Sequence, residues 1–540
     1  MTALLALFLL FQSEPPKEAL TFPITEKIRS HIAVLAHDSL EGRGPASAGD
    51  RKATAYIVSQ FKKFGLAPGA ENGTFIQPVP LVGVTVDPAT QLSVGNGKEK
   101  IVLEYSKDFV ATIGTHESLV DLKNAELVFV GYGIVAPEQK NWNDYKDADV
   151  RGKILVMMNN DPATDDPTFF AGKGRTYYGR WTYKYEIAAE KGALGAIVIH
   201  TTPSAGYRYE VIRNSWSREM FDLDEDGNAP AVRLKAWTTQ EATRKYLALA
   251  GFSLDTLMKL AESPSFRPIP LGLTLSGTIS STVKRIATNN IIGRVEGSDP
   301  QLKTQCMIFT AHYDHFGIGI PVNGDSIYNG ALDNASGTAL MMALAEDFAS
   351  MKTKPRRSLL FAAVAAEEQG LLGSKYLASH PPVPAKSIAA NINTDVINVI
   401  GRTTDISWQG SDRSSLGEDL AAVAAPFGLT VMPDQAPEQG GFFRSDHFSF
   451  AKAGIPAMSM GSGRNFVDVD TAFVRTMQQR GGKNYHQPGD EIAPDWNYDG
   501  ALQQAELVIR VAWRVANADR MPVWNAGSEF ETIRRRSLAQ

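Results

Sequence analysis

Three nearly unbroken apolar runs in the second half of the chain each end at side chains that can bind a metal. The runs cover residues 307–311, 359–366 and 387–394, and they are followed by His312, by Glu367 and Glu368, and by Asp395. Such runs are typical of strands buried on both faces of a parallel sheet. Ligands of open α/β sheets gather beyond the carboxyl ends of these strands. The pattern therefore predicts one shared metal site.

The remaining pattern predicts two structural regions. Apolar residues recur at helical spacing over residues 24–66, and a further strand is predicted over residues 285–296. Between them lie loop-rich, strand-like segments. We therefore expect an α/β domain, with a mixed, mostly parallel sheet flanked by helices, formed by residues 21–87 and 276–540. An inserted, mostly β domain is expected over residues 88–275.

Composition excludes several classes of protein. The 540 residues are 43% hydrophobic and 21% charged, which indicates a globular protein of two or more domains. A net charge of −5 without a long basic run gives no reason to expect nucleic acid as a partner. Cys306 is the only cysteine, so the chain has no intrachain disulfide and no cysteine-based zinc site.

The first residues carry a candidate targeting signal. Residues 3–11 form an apolar block that is too short to span a bilayer but suits the core of a secretory signal. No Lys or Arg precedes it, and a frayed apolar terminus is the alternative. We expect residues 1–20 to direct export to the periplasm or medium; otherwise the protein is cytoplasmic. No other stretch is apolar and long enough for an integral membrane segment.

Two of the candidate ligands also have simpler explanations. A histidine at a strand end is often structural, but the Asp314 carboxylate could accept the second ring N–H of His312 and fix its tautomer. Asp333 precedes an apolar helix, where most aspartates only cap the helix. A carboxylate there could also bridge two metals, one oxygen to each.

The Glu367–Glu368 pair is the strongest acidic signal. Adjacent carboxylates after eight apolar residues repel each other unless a cation compensates them. One could bind a metal while the other faces the attacking water as a general base. The last ligand should be a histidine from the C-terminal third, and the residue pattern leaves both His447 and His486 open.

The motif set resembles the co-catalytic di-zinc peptidases of clan MH, which include leucyl-type aminopeptidases and glutamate carboxypeptidases. The segment 35–66, with Gly42 and Arg43, is similar to the opening of that family's domain, and the inserted region resembles a protease-associated domain. The five motifs that carry the resemblance are His312-x-Asp314, Gly330-x-x-Asp333-Asn334-x-Ser336-Gly337, Glu367-Glu368-x-Gly370-x-x-Gly373-Ser374, Asn393-x-Asp395 and Tyr485-His486-x-Pro488-x-Asp490.

The resemblance implies a zinc-dependent exopeptidase with two Zn²⁺ and a peptide substrate. It implies His312 and Asp395 at one zinc, Glu368 and His486 at the other, and Asp333 between them with a cis bond to Asn334. It also implies Glu367 as the general base, Asp314 as the partner of His312 and Tyr485 as the group that stabilises the oxyanion.

Three alternatives to an aminopeptidase stay open at this stage. A carboxypeptidase would need cations for a free carboxylate, and the chain offers Arg180, Lys184, Arg208 and Arg444. The others are glutaminyl cyclisation with one zinc and binding of a partner without catalysis. We expect His447, Arg444 and Arg180 to contribute to substrate binding, although ordinary surface charge is the simpler explanation for each arginine alone.

Overall fold

The computed structural model describes residues 14–17, 23–166, 168–224 and 230–539. The chain divides into two compact units, one of residues 1–79, 287–435 and 444–540, and one of residues 80–286 and 436–443. The sequence analysis placed the second boundary at residues 275 and 276. The structure places it between residues 286 and 287, within the long strand Ile269–Val295, and places the first boundary between residues 79 and 80 instead of 87 and 88. The apolar block 3–11 of the predicted export segment lies outside the described residues.

The first unit is built on a sheet of five main strands, the last of which also pairs with the two-residue strand Ala67–Pro68. In spatial order they are Ala457–Ser459, Ile388–Asn393, Cys306–His312, Ser358–Val364 and the last part of Ile269–Val295. The first four are mutually parallel, and the fifth is antiparallel to its neighbour. Every residue of the three central strands is buried, which confirms the prediction from the apolar runs.

Helices flank this sheet. Gly337–Ser350 has an apolar surface on almost every side and is buried along nearly its whole length, as expected for a helix inside a core. The other α-helices of this unit are Ile24–Leu35, Ala48–Lys63, Leu372–Ser379, Leu416–Ala424, His447–Lys452, Thr471–Asn484, Asp499–Asn517 and Glu531–Ala539. The hairpin strands Gly317–Val322 and Asp325–Tyr328 and the short pair Asp405–Ile406 and Thr430–Val431 complete it.

The first two helices are interrupted by a tight segment. A 3₁₀ stretch, Asp38–Arg43, separates Ile24–Leu35 from Ala48–Lys63. Within it Glu41 and Gly42 have left-handed backbone conformations, so the helical pattern cannot run through unbroken.

The second unit contains a separate sheet. Its spatial order is Phe109–Thr112, Leu234–Thr239, Gly195–His200, Ile154–Met158, Leu119–Phe129 and the first part of Ile269–Val295. The three inner pairings are parallel, and the outer two are antiparallel. The strand Leu119–Phe129 ends just before Gly131 and Gly133, which adopt positive φ values.

Further elements surround the second sheet. Helices occur among them, so this unit is less purely β than the sequence analysis expected. The α-helices are Trp181–Glu190, Thr202–Ala205, Tyr209–Trp216, Gln240–Ala248 and Leu254–Ala261, and the further strands are Ile76–Val86, Gln91–Gly95, Lys100–Glu104, Val135–Ala136, Trp142–Asn143 and Met220–Leu223.

Across the described ranges, none of the helices has both the length and the apolar character needed to cross a bilayer.

His31, a buried histidine on the first helix, should make stability depend on pH. Its Nδ1 lies 2.7 Å from the Tyr56 hydroxyl, and burial lowers its pKa from 6.5 to about 4, with Lys27 and Lys63 adding to the decrease. Between pH 6.5 and pH 4 the unfolded chain binds a proton that the folded chain does not, so stability is lost as pH falls. The loss by pH 4.5 should be about 2–3 kcal/mol.

The measurement compares melting temperatures of the wild type and His31→Gln from pH 7 to pH 4.5. The wild type should fall more steeply. Parallel curves would show that His31 does not carry this pH dependence.

Gly482 should be replaceable with a gain in stability. It lies in the last turn of Thr471–Asn484, and a Cβ there would meet nothing within 4 Å. Glycine inside a helix costs about 0.5–1 kcal/mol relative to alanine. We expect Gly482→Ala to raise the melting temperature by about 1–2 °C in a thermal shift assay.

Gly428 is the matched control for this substitution. It also has open space around it, but its φ is +68°, where a side chain is strained. Gly428→Ala should therefore lower the melting temperature, and a decrease in Gly482→Ala would contradict the prediction.

Candidate metal centre

The parallel register brings the predicted ligands to one edge of the first sheet. His312 is the last residue of its strand and pairs with Val364, and Thr310 pairs with Asn393. Glu367 and Asp395 therefore follow their strands at nearly the same level as His312. The backbone segments that carry Glu367 and Asp395 turn away from the direction of their strands at Ala366 and Val396, whose φ values are +53° and +64°.

His312 lies among three carboxylates. Its Nε2 is 3.3 Å from Asp333 Oδ1, 3.5 Å from Asp395 Oδ1 and 3.9 Å from Glu367 Oε2. The histidine is 1% exposed and belongs to both groups of side chains whose ligand atoms could share an ion. These distances suit a nitrogen and three carboxylate oxygens that point towards one shared ion instead of forming hydrogen bonds with each other.

A second cluster surrounds His486. Its Nε2 is 3.1 Å from Glu368 Oε2 and 3.4 Å from Asp333 Oδ2. Asp333 thus presents one oxygen towards each histidine, the arrangement expected of a carboxylate between two metals. Of the two histidines that the residue pattern left open, the structure brings His486 to Asp333 and Glu368.

Hydrogen bonds fix the backbone of the loop that carries Asp333. The peptide bond from Asp333 to Asn334 is cis, as the resemblance predicts. The Asp490 carboxylate accepts the N–H of Leu332 at 3.0 Å and that of Asp333 at 2.9 Å. The backbone that carries the central carboxylate is therefore fixed by a residue four positions after His486.

Asp314 supports His312 with a different atom from the one predicted. The atom within hydrogen-bonding distance of His312 Nδ1 is the Asp314 backbone carbonyl, at 3.2 Å, whereas the nearest carboxylate oxygen is 3.8 Å away. The carboxylate instead accepts the N–H of Glu367 at 3.1 Å. Asp314 therefore links the histidine to the start of the Glu367–Glu368 segment.

Two supporting residues escaped the sequence analysis. His315 Nδ1 lies 2.6 Å from Glu368 Oε1, which leaves Glu368 Oε2 facing His486. The Ser445 hydroxyl donates to Asp395 Oδ2 at 2.5 Å, which leaves Oδ1 facing His312. The position of His315, three residues after His312, was the only sequence signal for either contact.

The electrostatics of the cluster suit bound cations. Burial raises the pKa of Glu367 well above its usual range; His312 opposes this rise, and Glu368, Asp446 and Asp395 add to it. Burial also raises the pKa of Asp314 to about 7. Neither oxygen of the fully buried Asp446 carboxylate has a hydrogen-bond partner among the described residues. Divalent metal ions would compensate this excess of buried negative charge.

Tyr485 and the predicted substrate residues have different surroundings. The Tyr485 ring stacks on His486 with centroids 3.8 Å apart, and the residue is 45% exposed. Arg444 and the buried His447 belong to the first unit and Arg180 to the second, and their roles in substrate binding stay predictions.

Lys184 does not fit the carboxylate-binding role that was considered for it. The residue is fully buried in the second unit, and its ammonium donates to the carbonyls of Tyr132, Asn160 and Tyr178 at 2.6, 2.8 and 2.7 Å. All three of its N–H groups are therefore used inside that unit.

The histidines and carboxylates at the carboxyl edge of this α/β sheet thus form a set of side chains that could hold metal ions. Residues 290–511 match the model of peptidase family M28. A probable zinc metalloprotease of Pyrenophora tritici-repentis (strain Pt-1C-BFP) is 31% identical over 321 residues, which are 53% of this chain and 63% of that protein. One of Pyrenophora teres f. teres (strain 0-1) is 33% identical over 321 residues, covering 53% and 60%.

The chain thus spans less than two thirds of the length of these curated relatives. Among solved structures, the aminopeptidase from Aneurinibacillus sp. strain AM-1 aligns with a TM-score of 0.54 and 21% identity, covering 93% of this chain and 97% of that one. This similarity shows the fold.

Proposed function

We propose that this protein is a zinc-dependent exopeptidase that releases N-terminal residues from peptides. The observation that carries the proposal is the placement of Asp333, with one oxygen towards His312 and the other towards His486. Glu367 lies next to this arrangement, 3.9 Å from His312. The M28 match and the zinc metalloprotease relatives support the same conclusion.

The donor set fits two zinc ions. His312 and Asp395 would hold one, Glu368 and His486 the other, and Asp333 would lie between them. Imidazole nitrogens and carboxylate oxygens are normal zinc ligands, and the absence of cysteine from the cluster suits a catalytic site. When bound, the zinc ions would polarise the scissile carbonyl and lower the pKa of water towards neutrality.

The protein's own groups handle the proton. Glu367 accepts a proton from the attacking water as the oxygen bonds to the carbonyl carbon. It then delivers that proton to the amine nitrogen as the C–N bond breaks, which yields a carboxylic acid and a free amine. The Tyr485 hydroxyl donates a hydrogen bond to the carbonyl oxygen as its negative charge develops.

The charges favour an N-terminal over a C-terminal specificity. An aminopeptidase must hold the substrate ammonium, and the site is rich in carboxylates, among them Glu367 and the buried Asp446. A carboxypeptidase would need a free cation, and Lys184 is already engaged with three carbonyls.

We also propose that the unit of residues 80–286 is a protease-associated domain.

End-group mass spectrometry on zinc-loaded protein tests the proposal. One short peptide is supplied free, N-acetylated and C-amidated. Stepwise loss from the N-terminus that acetylation blocks and amidation does not affect is expected. Loss of residues from the C-terminus that amidation blocks would instead establish a carboxypeptidase. Conversion of a peptide with an N-terminal glutamine into its pyroglutamyl form, without hydrolysis, would establish cyclisation.

A further inference from the structure

The segment around Arg43 has no role in the mechanism proposed above, yet it contacts the backbone close to His312 and Asp333. Arg43 ends the 3₁₀ stretch Asp38–Arg43, has a φ of +52° and is completely buried. A buried arginine in a left-handed backbone conformation is unusual, because both the conformation and the loss of hydration are unfavourable. Its contacts must compensate for both.

The Arg43 guanidinium donates only to backbone carbonyls. Nε donates to Tyr313 O at 2.5 Å, and Nη2 donates to Gly330 O at 3.0 Å. Nη1 donates to Leu35 O at 2.5 Å and to Asn329 O at 2.6 Å. One planar side chain thus joins the first helix to two separate segments of the peptidase domain.

Both of those segments carry candidate metal ligands. Tyr313 lies directly after His312, and Gly330 lies three residues before Asp333. A shift of either carbonyl would move one of these ligand side chains relative to the other. His312 Nε2 and Asp333 Oδ1 are 3.3 Å apart, so small displacements would change how they share an ion.

The backbone next to Arg43 is closely packed against the rest of the domain. A Cβ on Gly42 would lie 2.3 Å from Tyr328 O and 2.8 Å from Gly317 O, so no side chain fits there. Asn329 Nδ2 also donates to Ala36 O at 2.9 Å and to Asp38 Oδ1 at 2.7 Å. The segment Asp38–Arg43 and the loop that carries Asn329 are therefore held together by side-chain hydrogen bonds from both of them.

The charge of Arg43 suits this position. Burial lowers its pKa to about 10, and the carboxylates of Asp314, Asp490, Asp333 and Glu368 oppose that decrease. The guanidinium therefore stays charged at neutral pH among acidic groups. Lysine could supply the charge, but its point-like ammonium cannot reproduce the planar set of donors that reaches four carbonyls.

We infer that Arg43 is a positioning residue for the metal centre, which holds the His312 and Asp333 segments at the separation that zinc binding requires. This inference rests on the proposed zinc-dependent function. It assigns Arg43 no contact with the substrate or with the ions themselves.

Arg43→Lys tests the inference, with Arg357→Lys as the matched control. Arg357 is 1% exposed and precedes the strand Ser358–Val364, at the end of that strand away from Glu367. It too donates to carbonyls, those of Val515 at 3.0 Å and Ala518 at 2.5 Å. Both variants should unfold at lower temperature, but only one of them touches the predicted ligand segments.

The decisive readout is zinc affinity, measured by competition with a chromophoric chelator on metal-stripped full-length protein. Arg43→Lys should bind zinc about 10- to 100-fold more weakly than the wild type, the range found when groups that support ligands are lost. Arg357→Lys should stay within about twofold of the wild type. Wild-type affinity in folded Arg43→Lys, or equal weakening in both variants, would overturn the inference.

Asn329→Ala covers the case in which Arg43→Lys does not fold. It removes the second set of bonds between the same loops and leaves Arg43 in place, so zinc affinity should fall by a smaller factor. Unchanged affinity in that folded variant would also overturn the inference. Failure of the wild type to bind zinc would instead reject the proposed function itself, so the two failures are distinguishable.

Discussion

Replacing Glu367 with Gln should lower kcat by about 10²- to 10⁴-fold, the usual contribution of a general acid–base group, while zinc stays bound. The substitution keeps the shape of the side chain and removes its ability to accept a proton. Glu367 is not one of the five proposed ligands, and its backbone N–H would still donate to Asp314. The loss should therefore appear in kcat much more than in KM.

Glu368→Gln is the matched control, because the two residues are adjacent and chemically identical. Glu368 Oε2 faces His486 and its Oε1 accepts from His315, so this change should weaken zinc binding itself. Steady-state kinetics and metal analysis on both variants separate the roles. Substantial activity in Glu367→Gln would remove the residue from the mechanism, and equal metal loss in both would make it a ligand instead.

Removing zinc with a chelator should abolish hydrolysis and lower the melting temperature of the protein. Without cations, the carboxylates of Asp333, Glu368 and Asp395, whose side chains are 14%, 3% and 20% exposed, lie near one another in the same site as the buried Asp446. We expect zinc to bind the folded chain and not the unfolded one. At a free concentration of 100 times Kd it should stabilise the fold by about 2.7 kcal/mol per site.

The measurement is a zinc titration of the stripped protein, followed by thermal shift and by peptide hydrolysis. We expect both signals to rise together and to saturate near two equivalents per chain. Asp333→Ala, which removes the carboxylate between the two clusters, should lose most of the thermal response. Full activity in a chelated sample shown by analysis to be metal-free would reject the proposed mechanism.

The sequence predicted the central part of the fold because that part depends on local pattern. The runs at residues 307–311, 359–366 and 387–394 correspond to the buried strands Cys306–His312, Ser358–Val364 and Ile388–Asn393, since a parallel sheet covered on both faces excludes polar residues from its interior. The helix Gly337–Ser350 could be predicted for the same reason. The prediction was less accurate in the second unit, where helices mix with the strands.

The composition of the candidate site was also readable from the sequence, but its supporting contacts were not. His312, Glu368 and Asp395 could be found because they end or follow apolar runs, whereas a residue that orients a ligand can come from anywhere in the chain. Ser445 is 50 positions from Asp395 and His315 is 53 positions from Glu368, and neither separation leaves a periodic signal. The choice of the Asp314 carbonyl over its carboxylate likewise depends on three-dimensional geometry.

By itself, the sequence determined the three central strands of the first sheet and the metal-binding side chains that stand at their ends, because burial on both faces imposes an apolar pattern that is interrupted only where chemistry needs a polar group. Only the tertiary structure decided how those side chains are aimed. The two oxygens of Asp333 are divided between His312 and His486 by long-range contacts, among them the bonds from Arg43 and to Asp490. Such contacts join residues far apart in the chain and are set by the packing of the whole unit.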